Sequence, residues 1–266
     1  MRFRAAAVAT TAALALSALC VPAADAAGAA AAAGTGPVAF SAVSTNKRWM
    51  PVKPVTPNTV KVSYTIRHAA DVPLSDIHAD VLLAKAEFYG GKTIAPRQAP
   101  VCVAADRTSA VCEVVITVDP RTDLKNADSQ SPWELTGRAW RKSRPAEVFT
   151  TPLSGNVYTP RAAYLPMDAG PEPVVKGQVL TVRGTVQRAN WETGDYRNYN
   201  GAVGMGLWFR KKGGTVQSYV TGVETDGKGN FTKRLLASED GYWQWKIQGN
   251  ATTNRTVSRE DYVDVR

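Results

Sequence analysis

Two acidic stretches of the chain contain residue types that could bind calcium. The first is DGKGN, at residues 226–230. The calcium loop of an EF-hand needs Asp or Asn at its third and fifth positions and Gly at its sixth. Counted from Asp226, Lys228 occupies the third position and Phe231 the sixth. A cation at a ligand position repels calcium, whereas Asp-Gly is a preferred hairpin pair, so we predict a hairpin turn here.

The second acidic stretch, VDPRTDLKNAD, offers the carboxylates of Asp119, Asp123 and Asp128. Calcium takes roughly six to eight oxygen ligands, so backbone carbonyls and water would have to complete such a site. Asp and Asn are also common in turns, because their side chains cap their own backbone. A calcium site at these three residues is therefore an alternative hypothesis. Apart from this possible calcium ion, we expect no cofactor.

No arrangement of catalytic residues stands out in the sequence. The two histidines are His68 and His78, and neither belongs to an HExxH metal motif. The sequence has no GxSxG motif, which would place a nucleophilic serine on a sharp turn. We therefore expect a protein that is not an enzyme, with an unrecognised secreted hydrolase as an alternative.

Aromatic residues offer a different chemistry, which is stacking on a sugar or a peptide. The loop ANWETGDYRNYNG gathers Trp191, Tyr196 and Tyr199. Trp208 alternates with apolar neighbours, so its side chain is expected on the exposed face of its strand. These four residues are the predicted ligand-binding residues, and Trp191 and Trp208 are expected to be accessible. The alternative is that the loop aromatics fold back onto the edge of the domain.

The charge balance suggests which partners could be attracted. The formal net charge is +9, and basic residues cluster around Trp140 and at residues 210–212. Such clusters suit an anionic wall polymer, or they form a solvated surface. The predicted partners are a cell-wall polysaccharide, an anionic wall polymer or another surface protein, with no nucleic acid and no membrane span.

The elements that must position these residues are strands. In TVKVSYTIRH, at residues 59–68, apolar and polar residues alternate, which indicates a half-buried strand. DIHADVLLAKAEFY is interpreted as mainly strand, although its Ala and Leu content would also suit a helix. In YWQWKI, the two-residue period of a strand places Trp243, Trp245 and Ile247 on one face. Three large apolar side chains on one face favour the burial of that face. Short strands separated by turns predict an all-β fold of two immunoglobulin-like β-sandwich domains in tandem.

The cysteines give a further constraint on the fold. The chain that follows the predicted signal peptide has Cys102 and Cys112. Export favours oxidation, and an even number of cysteines favours pairing. The residues between them contain turn formers, so the two could face each other across a hairpin. We predict a structural disulfide.

The ends and the turns divide the chain into segments. Arg2, Arg4, an apolar run and Ala24-Asp25-Ala26 together indicate a secretory signal peptide. The next residues are rich in Ala and Gly, and TTPLSGNVYTP is a turn-rich interruption. The predicted segments are a signal peptide (1–26), a disordered leader (27–36), a first sandwich (37–150), a linker (151–160) and a second sandwich (161–266).

Several motifs carry a resemblance to a known group of proteins. They are FRKKGG, TDGKG, DGYW and a terminal VDV in the second half, and ITVDPRTDLKNAD in the first. With these, the chain resembles secreted two-domain immunoglobulin-like proteins of streptomycetes and related actinobacteria, which are mostly uncharacterised and sometimes automatically named calcium-binding proteins. We expect a secreted non-catalytic binding or structural protein, extracellular or at the cell surface. A calcium-dependent adhesion module is the main alternative.

Overall fold

The computed structural model describes residues 37–86 and 91–266. The predicted signal peptide (1–26) and leader (27–36) lie outside the described residues. In chain order the strands are β1 (Val38–Thr45), β2 (Asn58–His68), β3 (Ile77–Ala84), β4 (Thr93–Ile94), β5 (Val101–Ala104), β6 (Ser109–Val118), β7 (Trp133–Arg141), β8 (Arg144–Val157), β9 (Ala163–Tyr164), β10 (Met167–Gly170), β11 (Val179–Thr185), β12 (Gln187–Asn190), β13 (Asp195–Asn198), β14 (Gly204–Lys211), β15 (Ser218–Glu224), β16 (Asn230–Leu236), β17 (Gly241–Ile247), β18 (Thr256–Val257) and β19 (Asp261–Val263).

Helical structure is sparse in the described residues. It consists of one short α-helix, α1 (Pro120–Asp123), and two 3-10 turns, Leu74–Asp76 and Asn126–Gln130. None of the helices in residues 37–86 and 91–266 is long and apolar enough to cross a membrane. The predicted all-β fold class is therefore confirmed.

The first half consists of two antiparallel four-stranded sheets that share one core. Their strand orders are β1-β2-β6-β5 and β4-β3-β7-β8. Alternate residues of β2, among them Val60, Val62 and Tyr64, are buried, as the period of two predicts. The Tyr64 hydroxyl donates to the carbonyl of Ala79 at 2.6 Å, which connects the two sheets across the core. This arrangement is a β-sandwich.

The predicted disulfide is confirmed. Cys102 on β5 lies directly opposite Cys112 on β6, their Cα atoms are 4.0 Å apart, and the two residues are bonded. Cys112 is buried, as the alternation along β6 predicts. Because β5 is an edge strand, the bond fastens the edge of the sheet to its neighbour.

The second half contains three further antiparallel sheets, two with three strands and one with five. Their strand orders are β10-β11-β16, β13-β12-β9 and β15-β14-β17-β18, and β19 also pairs with β17. The rings of Phe231 on β16 and Trp245 on β17 meet across the core, with centroids 5.0 Å apart. Trp243 is 7% exposed and Trp245 0% exposed, which confirms their predicted burial.

Residues 226–230 form a turn but not a hairpin. The backbone N–H of Asp226 donates to the carbonyl of Asn230 at 2.8 Å, and Asp226 Oδ1 accepts from the N–H of Lys228 at 2.9 Å. The two strands that this turn joins pair with different partners, β15 with β14 and β16 with β11. The hairpin prediction is therefore wrong, because the chain crosses here from one sheet of the sandwich to the other.

The two halves share a hydrogen-bonded junction. The N–H of Ala162, at the start of the second half, donates to the carbonyl of Val52 in the first half at 3.0 Å. From the first half, Asn126 Nδ2 donates to Glu192 Oε2 at 2.7 Å and to Asn190 Oδ1 at 2.8 Å. These bonds join loops of the second half to the body of the first.

Strand β8 extends into the predicted linker at residues 151–160. It continues to Val157, so most of residues 151–160 are strand. All described residues belong to one compact unit. The division into independent domains at 37–150 and 161–266 stays a prediction.

Candidate ligand-binding face

The outer face of the β15-β14-β17 sheet is defined by the burial of its inner face. Leu207 on β14 and Trp245 on β17 are paired and fully buried. Side chains alternate along a strand, so Gly206, Trp208 and Lys246 lie on the opposite face. The solvent side of this sheet therefore presents glycine, aromatic and charged residues together.

A groove of about 630 Å³, here called the outer groove, lies on this face. Gly206 and Gly222 are directly paired and line it, next to the paired Trp208 and Tyr219. The two rings meet edge to face, with centroids 5.6 Å apart. A Cβ atom at Gly206 would lie 3.1 Å from Trp208 Nε1 and 3.3 Å from Tyr219 Cε2. Glycine therefore gives these two rings room to lie close to the sheet.

Lys246 joins the aromatic pair to a network of hydrogen bonds. Its Nζ lies 4.3 Å from the centroid of the Trp208 ring and donates to Gln217 Oε1 at 2.6 Å. Gln217 Nε2 in turn donates to Gln244 Oε1 at 3.1 Å and to Glu260 Oε1 at 2.9 Å. An exposed cation–π contact contributes about 0.5–1 kcal/mol. The polar side chains beside the groove are thus held in place before any ligand arrives.

A second pair of aromatic residues extends this face beyond the groove. The rings of Tyr242 and Tyr262 have centroids 5.2 Å apart, and the guanidinium of Arg210 lies 4.1 Å from the centroid of Tyr242. Arg210 also donates two hydrogen bonds to Glu260, at 3.0 and 2.6 Å. Hydrogen bonding from Arg210 lowers the pKa of the Glu260 carboxyl below its ordinary value. This part of the face is aromatic, with its charges paired.

A smaller cavity of about 200 Å³, here called the end pocket, adjoins the outer groove. Gly204 and Gln248 line both cavities. Tyr199 lines the end pocket, and the guanidinium of Arg188 lies 4.6 Å from the centroid of its ring. Two of the four predicted aromatic residues, Tyr199 and Trp208, therefore lie beside adjoining cavities.

The other two predicted aromatic residues lie elsewhere. Trp191 is 3% exposed, belongs to the core of the first half, and donates from Nε1 to the carbonyl of Val52 at 3.3 Å. The prediction that Trp191 is accessible is therefore wrong. Tyr196 packs against Tyr164, with centroids 5.5 Å apart, and burial raises the pKa of its phenol. This part of the loop folds back onto the body of the protein, because removing the apolar surface of its rings from water lowers the free energy of the folded state.

Sequence reasoning missed three residues of this face: Gln217, Tyr219 and Lys246. The signal for Lys246 was present, because the alternation that buries Trp245 places its neighbour on the outer face. Tyr219 could not be found in this way. Its position opposite Trp208 depends on a register shift in the pairing of β14 with β15, which occurs between Leu207 and Trp208.

The three carboxylates proposed for calcium are engaged by the chain itself. Asp119 caps α1 and accepts two hydrogen bonds from the Arg121 guanidinium, at 3.1 and 2.9 Å. Asp123 accepts the backbone N–H of Asp119 at 2.7 Å, and Asp128 accepts from Lys92 Nζ at 2.9 Å. Within residues 37–86 and 91–266, no group of three or more His, Cys, Asp or Glu could hold a metal ion. The three carboxylates do not form such a group.

A lysine already contacts the backbone oxygens of this region. Lys85 is buried, and its Nζ lies 2.8 Å from the carbonyl of Asp128, 2.9 Å from Ser131 Oγ and 3.3 Å from the carbonyl of Pro132. The ammonium also lies 4.5 Å from the centroid of the Trp133 ring. Burial lowers the pKa of Lys85 to about 8. Lys85 thus already bonds the backbone oxygens next to the Asp128 carboxylate.

The basic clusters noted in the sequence carry their own counter-ions. Arg138 donates two hydrogen bonds to the buried Asp80, at 3.0 and 2.7 Å, and Trp140 stacks on His78 with centroids 3.9 Å apart. The remaining ion pairs of these clusters are Arg141–Asp76, Arg144–Glu147, Arg210–Glu260, Lys211–Glu239 and Lys212–Asp240. Pairing of this kind reduces the attraction of these clusters for an anionic polymer.

Known proteins similar to this chain were found among solved structures, but not among protein families or curated proteins. No model of a protein family matches the chain, and no curated protein matches it. Among solved structures, the chain is similar to the adhesin InvE of Yersinia pseudotuberculosis at 10% sequence identity and a TM-score of 0.29. The match covers 85% of this chain and 58% of the adhesin chain. At this level the likeness carries no argument about function.

Proposed function

We propose that this protein is secreted and binds a hydroxyl-rich polymer, such as a cell-wall polysaccharide, through the outer groove without catalysing a reaction. The observation that carries the proposal is the Trp208–Tyr219 pair beside the paired glycines Gly206 and Gly222. Aromatic rings cover apolar faces of a ligand, and a few fixed polar groups orient it. A sugar ring has both an apolar C–H face and hydroxyl groups, so it suits this combination.

The size and the charge of the groove support a neutral ligand. Its volume of about 630 Å³ falls in the usual range for ligand sites, about 300–1,000 Å³. Its charged lining residues are Glu224 and Lys246, one of each sign. A polymer with many negative charges would gain little from such a lining, which makes a neutral polysaccharide the better match.

The same lining supports binding without catalysis. Most glycoside hydrolases use a pair of carboxyl groups on either side of the bond that they cleave. Glu224 is the one carboxylate among the lining residues of the outer groove, all of which the structure describes. A hydrolase would need a second acid at this place. Secretion is proposed from the predicted signal peptide at residues 1–26.

Retention on insoluble cell-wall polysaccharide tests this proposal. Trp208→Ala and Tyr219→Ala should each weaken retention about 10-fold, as expected for an aromatic residue central to a binding site. Tyr164→Ala is the matched control, because Tyr164 is 47% exposed and Tyr219 is 58% exposed. Equal retention of all three variants would contradict the proposal. Retention that a calcium chelator abolishes would instead favour the calcium-dependent adhesion module.

A further inference from the structure

Arg161 is a buried arginine whose charge is not paired within residues 37–86 and 91–266. It is 7% exposed, and the one hydrogen bond that its side chain forms there runs from Nε to the carbonyl of Ala189. Arginine is almost never buried unless its charge is paired, because removing a charge from water is costly. Arg161 therefore lacks the partner that a buried cation usually has.

The terminal nitrogens of this guanidinium remain open to solvent. In the part of the chain that the structure describes, the buried side-chain nitrogen and oxygen atoms without a hydrogen-bond partner belong to Trp243, Trp245 and Thr253. The two Nη atoms of Arg161 are not among them and donate no hydrogen bond to the described residues, so each keeps some accessible surface. With Nε held by a backbone carbonyl, the side chain is fixed and its two N–H₂ groups are free to bind an ion.

A second arginine without a carboxylate partner, Arg188, lies close to the first. It is half-buried, and its guanidinium is 4.6 Å from the centroid of the Tyr199 ring. Its side chain forms no ion pair or hydrogen bond with any other described residue. Arg188 directly precedes Ala189, whose carbonyl holds Arg161. Burial and the charge of Arg188 lower the pKa of Arg161 to about 10, since two nearby positive charges disfavour each other.

The acidic residues of this region are already bonded elsewhere. Glu192 favours the charged form of the buried arginine, but its carboxylate accepts two hydrogen bonds from Asn126, at 3.2 and 2.7 Å. Asp195 pairs at 2.9 Å with Arg197, which lies directly across the sheet from Arg188. Arg197 thus has a counter-ion, whereas the two arginines described above do not.

We infer that Arg161 and Arg188 together bind a doubly charged oxyanion, namely a phosphate group. Guanidinium groups match the oxygens of phosphate with pairs of hydrogen bonds, and a phosphate with two negative charges balances two arginines. The site adjoins the end pocket, because Tyr199 and Thr253 line that pocket and the backbone of Thr253 pairs with that of Arg161. This inference goes beyond the proposed function and does not rest on it, since the outer groove holds the neutral sugar rings.

Calorimetry with inorganic phosphate near neutral pH, in sodium chloride of constant ionic strength, tests this inference. The wild-type protein should bind phosphate, and Arg188→Gln should weaken the binding at least about 10-fold, because one charged partner is lost. Arg197→Gln is the matched control: it removes an arginine of the same sheet that has its own carboxylate, and it should bind phosphate as the wild type does. Thermal melts show first that each variant is folded. Arg161→Gln should also lose binding, and if this buried change prevents folding, Arg188→Gln decides the question.

Two further ligands identify the group that is bound. Acetate carries one negative charge and should bind at least about 10-fold more weakly than phosphate, because it balances only one of the two arginines. Glucose 6-phosphate distinguishes the sources of the phosphate. Binding as tight as that of inorganic phosphate supports a phosphate carried on a sugar, and much weaker binding supports the free ion.

Three results would overturn the inference. They are no heat with phosphate at tens of millimolar, equal binding by the wild type and a folded Arg188→Gln, and acetate binding as tight as phosphate binding, which would favour a carboxylate. None of these measurements involves wall polysaccharide. Failure of the phosphate site therefore leaves the proposed function standing, and loss of retention on the polysaccharide leaves the phosphate site standing.

Discussion

Replacing Trp191 by Ala should destabilise the protein strongly, although the sequence suggested a surface role for this residue. Trp191 is 3% exposed and packs in the core of the first half. Removing a buried tryptophan side chain costs about 3–5 kcal/mol of unfolding free energy. Loss of its hydrogen bond to the Val52 carbonyl adds little, because the N–H of Ala162 also donates to that oxygen at 3.0 Å. The cavity accounts for most of the effect.

Differential scanning calorimetry measures this loss of stability. For a protein of this size, each kcal/mol shifts the melting temperature by about 2–4 °C, so Trp191→Ala should melt about 6–20 °C lower. Trp208→Ala is the control, and its melting temperature should fall by about 4 °C or less, because Trp208 is only half-buried. Below its melting temperature, Trp191→Ala should still be retained on wall polysaccharide. An unchanged melting temperature together with lost retention would refute this reasoning.

Four further predictions address the core, the disulfide, the calcium hypothesis and the buried lysine. Trp243→Ala should lower the unfolding free energy by about 3–5 kcal/mol in chemical denaturation, and a stable variant would mean that the faces of the sheet are reversed. Peptide mapping without reduction should yield Cys102 linked to Cys112, whereas two alkylatable thiols would contradict the bond. Calorimetry with millimolar calcium should show no heat of binding to the protein. Calcium binding that is weaker in Asp123→Ala than in the wild type would instead support the calcium hypothesis. Lys85 should titrate at about 8 by NMR. Since the unfolded chain keeps this proton up to about 10.5, the group should make the unfolding free energy rise from pH 8 to pH 10.5, and a midpoint near 10.5 in the folded protein would show that Lys85 is exposed.

The strands and their faces could be predicted from the sequence because alternation reports burial directly. The burial of Tyr64, Cys112 and Trp245 follows from a period of two. The disulfide could also be predicted, since a short loop between two cysteines brings them together across neighbouring strands. These features depend on residues close together in the chain.

Features that depend on distant contacts could not be predicted in this way. The turn at residues 226–230 has the local chemistry of a hairpin, and only the pairing of β16 with β11 shows that it crosses between sheets. Trp191 is buried by the first half of the chain, far away in sequence. The position of Tyr219 in the groove depends on an irregular register that no local pattern encodes.

An NMR titration of the protein with a soluble fragment of wall polysaccharide tests the central claim most directly. We predict that the largest changes in amide shift occur at the outer groove, at Gly206, Gly222 and Lys246. The outer face of the first half, around Trp140, should show none. Changes centred on Trp140, or no changes at saturating concentration, would contradict the proposal that the outer groove is the ligand-binding site.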